Sequence, residues 1–131
     1  MSVTKPYGVQ GSSWAYIPFS YDDFGASGVE EEAFDMPKDA LVVGGHLQIT
    51  TPFNSGTSDT LTVGDEDDDD EYVAGVDGQA AARSALVPTG LAYTAPKALV
   101  IKWTGVGAAP SAGAGYLAVE YIRTGRQDQH V

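Results

Sequence analysis

A run of seven consecutive acidic residues, from Asp65 to Glu71, is the part of the sequence that could do chemistry most directly. Hard divalent cations prefer several oxygen ligands, and a dense set of carboxylates can supply them. The run therefore predicts a weak Ca²⁺ or Mg²⁺ site. The alternate members of the run are the candidate ligands, namely Asp65, Asp67, Asp69 and Glu71.

The spacing of these acids differs from that of an EF-hand loop. Counted from Asp65, the sixth position holds Asp70 where an EF-hand requires Gly, and the twelfth holds Val76 where it requires Glu. Neighbouring carboxylates also repel one another unless an ion lies between them. The alternative interpretation is a solvated loop on an acidic surface, and the sequence leaves both interpretations open.

Catalytic equipment is sparse in the remainder of the sequence. His46 and His130 are the two histidines, and His46 alternates out of phase with Leu47 and Ile49, which predicts an outward position. There is no Gly-x-Ser-x-Gly motif and no cysteine that could act as a nucleophile. The Gly-rich stretches lack the lysine and the strand–loop–helix context of a phosphate-binding loop. We therefore expect no catalytic residue and no enzymatic activity.

The aromatic residues fall into two groups. Trp103 alternates with Leu99 and Ile101, a pattern typical of a core strand. Trp14 and Tyr16 lie in a strand-like segment with Pro18, which favours an edge position because proline cannot donate to a ladder. A sugar-binding platform and a protein interface are both open interpretations of this second group.

The elements that must position these residues are short strands separated by turns. We predict strands over residues 14–21, 31–36, 40–50, 60–63, 72–73, 97–104 and 116–122. Gly44 and Gly45 interrupt the longest of these strands, which indicates a bulge or a bend. Residues 77–86 are the only helix-like segment, as a short helix or a helical turn within a loop. The predicted core is Leu41, Val43, Leu47, Ile49, Leu61, Val63, Leu99, Ile101, Trp103, Leu117, Val119 and Tyr121.

This pattern predicts an all-β fold, an antiparallel β-sandwich of jelly-roll type. Strands do not alternate with helices, so a parallel sheet is not expected. The polar ends of the chain divide it into an N-terminal arm (residues 1–13), a sandwich domain (14–122) and a C-terminal tail (123–131). Such arms have little core of their own to pack against.

Composition limits the classes of partner. The net charge is −11, with 7 basic residues scattered along the chain, which argues against contacts to nucleic-acid phosphates. No apolar run approaches the roughly 20 residues of a membrane span, and the N-terminus lacks the apolar segment of a secretory signal. We therefore expect no nucleic-acid partner and no membrane, and a protein made in a cytoplasm.

Several segments resemble small structural proteins of tailed bacteriophages, in particular capsid decoration, or cement, proteins. The similarity covers roughly residues 33–126 and consists of turns and strand edges. It is carried by residues 34–37, 41–43, 50–64, 93–96, 112–122 and 125–126.

The resemblance implies a non-enzymatic protein that binds the assembled phage head from outside and stabilises it as a homo-oligomer, a dimer or trimer. Its partner would be the major capsid protein. Trp14 and Tyr16 on the edge strand, with Arg123 and Arg126 in the tail, are the candidate contact residues. A carbohydrate- or receptor-binding head-fibre module is the alternative, and a tail or connector component is a third interpretation.

Overall fold

The structure is a computed structural model that describes residues 11–124. The outer parts of both predicted arms, together with Arg126 and His130, lie outside the described residues. Within them the chain forms eight strands and one 3₁₀ turn, Tyr21–Asp23. The strands are β1 (Ser13–Ser20), β2 (Val29–Met36), β3 (Ala40–Thr51), β4 (Ser58–Asp65), β5 (Val73–Asp77), β6 (Arg83–Ala85), β7 (Lys97–Val106) and β8 (Ala114–Arg123).

The eight strands form two four-stranded antiparallel sheets. The order in the first sheet is β1-β8-β3-β6, and in the second sheet it is β2-β7-β4-β5. This confirms the predicted antiparallel β-sandwich. The chain passes repeatedly between the sheets, and its first and last strands, β1 and β8, are paired. The jelly-roll type stays a prediction.

The core lies between the sheets and follows the predicted alternation along most strands. Buried side chains of the first sheet include Leu47, Ile49, Leu117 and Val119; those of the second sheet include Leu61, Val63, Leu99, Ile101 and Trp103. These nine predicted core positions are confirmed. Tyr121 is partly buried and packs against the edge of the core.

Strand β3 corrects the prediction for Leu41 and Val43. Leu41 is half-buried and Val43 is 38% exposed, whereas Val42 between them is buried. The cause is a shift of register against β8 between Val42 and Gly44, which reverses the inward parity in the first part of the strand. Gly44 and Gly45 indicate the bulge in the sequence, and residues on its two sides face the core with opposite parity.

Gly45 shows why glycine stands at this irregularity. Its φ is +123°, a value that L side chains rarely adopt. A Cβ there would lie 2.1 Å from the carbonyl oxygen of Ala118 on the paired strand. Any other residue would therefore force β3 and β8 apart.

The predicted helical segment over residues 77–86 is wrong. It comprises the end of β5, a turn and strand β6. The Gln79 N–H donates to Asp77 Oδ1 at 2.9 Å, which forms an Asx-type turn. The Ile49 N–H donates to the Ala82 carbonyl at 2.8 Å. These bonds to neighbouring segments outweigh the helix propensity of the alanines. From Gly11 to Thr124 no helix is long and apolar enough to cross a membrane.

Candidate functional site

The outer face of the first sheet carries an exposed aromatic row. Trp14 and Tyr16 are 58% and 66% exposed, while Ala15 and Phe19 of the same strand are buried. The alternation arises because successive side chains of a strand point to opposite faces. Strand β1 is an edge strand, as the position of Pro18 predicts. We call Trp14, Tyr16 and their neighbours Tyr116 and His46 the aromatic face.

Contacts between side chains organise the aromatic face. The rings of Tyr16 and Tyr116 lie 5.1 Å apart between centroids, and the rings of His46 and Tyr116 lie 5.4 Å apart. His46 Nε2 and the Tyr116 hydroxyl are 3.0 Å apart, within hydrogen-bond distance. Tyr116 thus links the edge strand to the middle of the sheet, which confirms the outward position predicted for His46.

Burial and a neighbouring positive charge favour the neutral form of His46 on the aromatic face. Burial lowers the pKa of His46, and the positive charge of Arg83 lowers this pKa further. The Arg83 guanidinium lies 3.5 Å from His46 Nδ1. A neutral imidazole beside exposed rings gives a surface with little desolvation cost on contact with a partner.

Arg123, the third predicted contact residue in the described range, does not share this face. It lies near the end of β8, opposite Ala40, and its Nε donates to the Lys38 carbonyl at 3.3 Å. Arg123 is three positions from Glu120 on β8, so the two side chains point to opposite faces of the sheet. Glu120, which is paired with Trp14, shares the face of Trp14. Arg123 therefore supports the turn between β2 and β3, while Trp14 and Tyr16 remain together.

The acidic loop, residues 65–71, follows β4 and folds back over the outer face of the second sheet. A Cβ at Gly64 would lie 2.0 Å from the carbonyl oxygen of Asp68, so the backbone of the loop contacts the strand directly. Val100 is paired with Gly64 and points to the outer face, because its neighbour Ile101 points to the core. Val100 is nevertheless buried, so the loop covers it. The loop therefore has a fixed position on the sheet.

Asp65 anchors the acidic loop from inside the protein. It is only 2% exposed. Its Oδ1 accepts the backbone N–H groups of Asp67 and Asp68, each at 2.9 Å, and its Oδ2 accepts the Tyr93 hydroxyl at 2.8 Å. The Tyr93 hydroxyl also lies 2.5 Å from that of Tyr72. Burial raises the pKa of Tyr93, and its hydrogen bonds to Tyr72 and Asp65 raise it further.

The other predicted metal ligands point to separate places. Asp67 forms an ion pair with Lys97 at 2.5 Å, and Asp69 forms one with Lys102 at 2.8 Å. Hydrogen bonds to these carboxylates raise the pKa values of both lysines. The predicted set is therefore divided: Asp65, Asp67 and Asp69 contact Tyr93, Lys97 and Lys102 in turn, and Glu71 is hydrogen-bonded to Asp68.

A different trio of acids converges at the tip of the acidic loop. Carboxylate oxygens of Asp68, Asp69 and Asp70 all lie within 4.8 Å of one another. Hydrogen bonds to Asp70 and Glu71 lower the pKa of Asp68, and the same bonds raise the pKa values of its two partners. The tip therefore holds crowded carboxylates whose pKa values are shifted by one another.

Asp59 is a buried carboxylate that sequence reasoning missed. It is 1% exposed and accepts the Ser55 hydroxyl at 2.6 Å and the Trp103 indole N–H at 2.7 Å. The Ser55 N–H and Gln79 Nε2 each donate at 2.9 Å. Burial raises the pKa of Asp59, but these hydrogen bonds outweigh burial and lower it overall. Asp59 thus ties the turn before β4 to β7, and its spacing gives no sequence signal of this role.

Comparison with known proteins gives structural similarity at low sequence identity. No protein-family model and no curated protein sequence matches the chain. A chain from the acidic-stable capsid of Helicobacter pylori bacteriophage KHP30 has a TM-score of 0.67 at 19% identity, over 87% of this chain and 90% of that one.

Two further solved structures are similar. A chain of the capsid asymmetric unit of cyanophage Pam1 gives a TM-score of 0.64 at 20% identity, over 93% of this chain and 92% of that one. A chain from the capsid of Ralstonia phage GP4 gives 0.64 at 18% identity, over 94% and 91%. The chain therefore has a fold that also occurs in three phage capsids, over nearly the whole length of each chain.

Proposed function

We propose that this protein is a non-enzymatic capsid protein of a bacteriophage, a decoration protein that binds the assembled head and stabilises it. The observation that carries the proposal is the near full-length similarity to chains of three phage capsids. Fold alone does not give a function. The resemblance of the turns and strand edges to decoration proteins supports the specific role within a capsid.

Charge favours the outer surface of the head as the location of the protein. At −11 the chain would be repelled by packaged DNA, whose phosphates attract basic proteins. Its partner is then the outer side of the major capsid protein. In this proposal the aromatic face supplies apolar contact area, which protein interfaces favour in their centres.

Oligomerisation is the physical route by which such a protein would stabilise a shell. One subunit can bind weakly, but an oligomer that contacts several capsid subunits gains effective concentration at each further contact. We therefore propose a homo-oligomer, a dimer or trimer. Sedimentation equilibrium of the full chain, free and with heads, measures this directly.

Binding to heads is the central test of the proposal. Purified heads that lack the protein are mixed with the full chain and sedimented, and DNA release on heating is then followed with and without it. We expect saturable co-sedimentation and a higher temperature of DNA release. If the protein stays in the supernatant of both procapsids and expanded heads, the proposal is wrong.

The terminal segments are a second part of the proposed contact. Ser13 is paired with Tyr121, so the start of β1 and the end of β8 lie at the same end of the first sheet. The Ser12 hydroxyl donates a hydrogen bond to the Glu120 carboxylate, and the Thr124 N–H donates to the Asp39 carbonyl. Deletions should therefore stop short of these residues and remove 1–10 or 125–131. We expect either deletion to fold normally and to weaken head binding.

Glycan binding is the second candidate function, favoured by the exposed aromatic rings of Trp14 and Tyr16. Sugar rings stack on such platforms. A glycan array of the full chain tests this function. The proposed weak Ca²⁺ or Mg²⁺ site at the acidic loop lies on the other sheet and is tested separately, by calorimetric titration of the full chain with each cation. Specific glycan binding that survives Trp14→Ala would count against the aromatic face as the platform.

A further inference from the structure

The four sheet edges of the sandwich differ in how they are protected against pairing with another chain. Natural proteins shorten, charge or bulge an exposed edge strand to prevent such pairing. Strand β6 has three residues, and β5 has five with a register shift beside Leu61. Strand β2 carries Glu30, Glu31 and Glu32 and a register shift after them. Three of the four edges are therefore protected against pairing with another chain.

Strand β1 is the exception. It has eight residues, none of them charged, and its register with β8 runs without interruption from Ser13 to Ser20. Pro18 is its one edge-protecting residue. Among residues 11–124 no strand pairs with its outer side. An edge that is long, regular and aromatic has the features of a strand that another chain can extend.

The outward backbone groups of β1 can be assigned from hydrogen bonds. The Tyr21 N–H donates to the Gly113 carbonyl, on the β8 side, whereas the Ser20 N–H donates to Asp23 Oδ2. Backbone direction alternates along an antiparallel strand. The even-numbered residues of β1 therefore direct their backbone groups away from β8, as Ser20 does. Trp14 and Tyr16 present both N–H and C=O on this outer side, and Pro18 presents only its C=O.

A cleft of about 270 Å³ opens between β1 and β2, next to this edge. Its apolar lining includes Ile17, Phe19, Phe24, Ala33 and Ile101. Its polar lining is acidic, from Asp23, Glu31 and Glu32. No lysine or arginine lines it among the described residues. A long basic side chain fits this cleft, because its methylene stem is apolar and its charge would meet the carboxylates.

We infer that the outer edge of β1 takes an extended segment of a partner protein, added as a fifth strand to the first sheet. Alternate side chains of the segment, lysine or arginine, enter the acidic cleft. The intervening side chains are apolar and lie against Trp14 and Tyr16. Main-chain bonds supply affinity in this mode of recognition, and the alternate side chains supply specificity.

Charge selects a basic partner segment over a second copy of this chain. The chain has a net charge of −11, and the edge is bordered by Asp22, Asp23 and Glu120. Two such edges brought together would repel each other. The inference rests on the proposed function for the identity of the partner, which is then an exposed basic segment of the major capsid protein.

The test uses a capped heptapeptide of alternating lysine and valine, TKVKVKT, as the probe, and the full chain. We expect binding to perturb Trp14 fluorescence and to slow hydrogen exchange of the Trp14 and Tyr16 amides. The peptide with glutamate in place of lysine should not bind. Two further peptides are N-methylated, one at every lysine and one at every valine. Only alternate residues of an added strand bond to β1 through their N–H groups, so one methylated peptide should bind and the other should not. Any other result with this methylated pair overturns the strand pairing.

A charge-matched pair of variants tests the cleft. Glu31→Gln with Glu32→Gln should raise the Kd for the lysine peptide about fivefold. Glu66→Gln with Asp70→Asn removes the same charge from the exposed acidic loop and should leave this Kd unchanged. Equal effects of the two pairs would show bulk attraction rather than recognition in the cleft.

Two further results would overturn the inference. One is slow exchange of the Trp14 and Tyr16 amides in the free monomer, which would mean that the edge is already paired. The other is a concentration-dependent dimer that protects the same amides. Failure of peptide binding with intact head binding counts against this inference alone. Peptide binding without head binding counts against the proposed function alone.

Discussion

The two sheets present opposite kinds of outer surface to solvent. The first sheet exposes the aromatic face, in which Tyr116 is hydrogen-bonded to His46, with Arg83 and Glu120 as the charged residues beside it. The second sheet is covered by the acidic loop, in which Asp67 and Asp69 are paired with Lys97 and Lys102 while Asp68, Asp69 and Asp70 crowd together at the tip. The comparison teaches that one small domain can carry aromatic rings on one outer face and carboxylates with their lysine partners on the other.

Removal of the exposed aromatic side chains should have the largest effect. We expect Trp14→Ala with Tyr16→Ala to weaken head binding by about 2 kcal/mol or more, or about thirtyfold in Kd, since such residues often dominate interfaces. The free energy of unfolding should change little, because both side chains are mainly exposed. Val106→Ser, at an exposed position of the second sheet, is the control and should bind normally. Equal loss in both variants would remove the distinction between the sheets.

A smaller effect on stability is expected from the anchor of the acidic loop. Tyr93→Phe removes the hydroxyl that donates to buried Asp65. An unsatisfied buried carboxylate oxygen should lower the free energy of unfolding by about 1–3 kcal/mol, measured by urea denaturation. Head binding of the folded variant should be retained. Tyr116→Phe on the aromatic face is the matched control, and a loss of stability as large as that of Tyr93→Phe would contradict the assignment of Tyr93 as an anchor.

The ion pairs on the outer face of the second sheet should contribute less. Lys102→Met or Asp69→Asn breaks the pair between Lys102 and Asp69. Because solvent screens such pairs, we expect a change below about 1 kcal/mol in the free energy of unfolding. The difference from the unmodified protein should disappear in about 1 M NaCl, where the screening length is short. A difference that persists at high salt would show that packing, rather than charge, is lost.

The smallest expected effect is the titration of His46. Burial and then Arg83 hold its pKa below the ordinary value, so the free energy of unfolding should decrease as pH falls below about 6.5, where the unfolded chain takes up the proton first. Arg83→Met should move the NMR titration midpoint of His46 part of the way back. An unchanged midpoint would mean that Arg83 does not influence the aromatic face.

Alternation in the sequence was sufficient for the fold class and for most of the core. Regular strands such as β7 and β8 bury Ile101 and Val119 as predicted, because period-two patterns record which face is covered. Leu41 and Val43 were assigned to the wrong face because one bulge shifts every earlier residue by one position. The strand at Arg83–Ala85 was missed because it is specified by its pairing to β3, not by local propensity.

The candidate sites were predictable only as residue types. The position of Pro18 predicted the edge strand, and alternation predicted that Trp14 and Tyr16 share a face. The acidic run was evident, but its division among Tyr93, Lys97 and Lys102 depends on residues about thirty positions away. The four donors that converge on Asp59 come from Ser55, Gln79 and Trp103, and no spacing rule connects those three positions.

The pairing of β1 with β8 also constrains when the protein becomes functional. Ser12 and Glu120, whose side chains are bonded at this junction, are 108 positions apart in the chain. Pairings between such distant segments form late, since a long loop must close first. A ribosome must therefore release almost the entire chain before β1 has a strand beside it. The pairing of β1 with β8 therefore belongs to the late steps of folding.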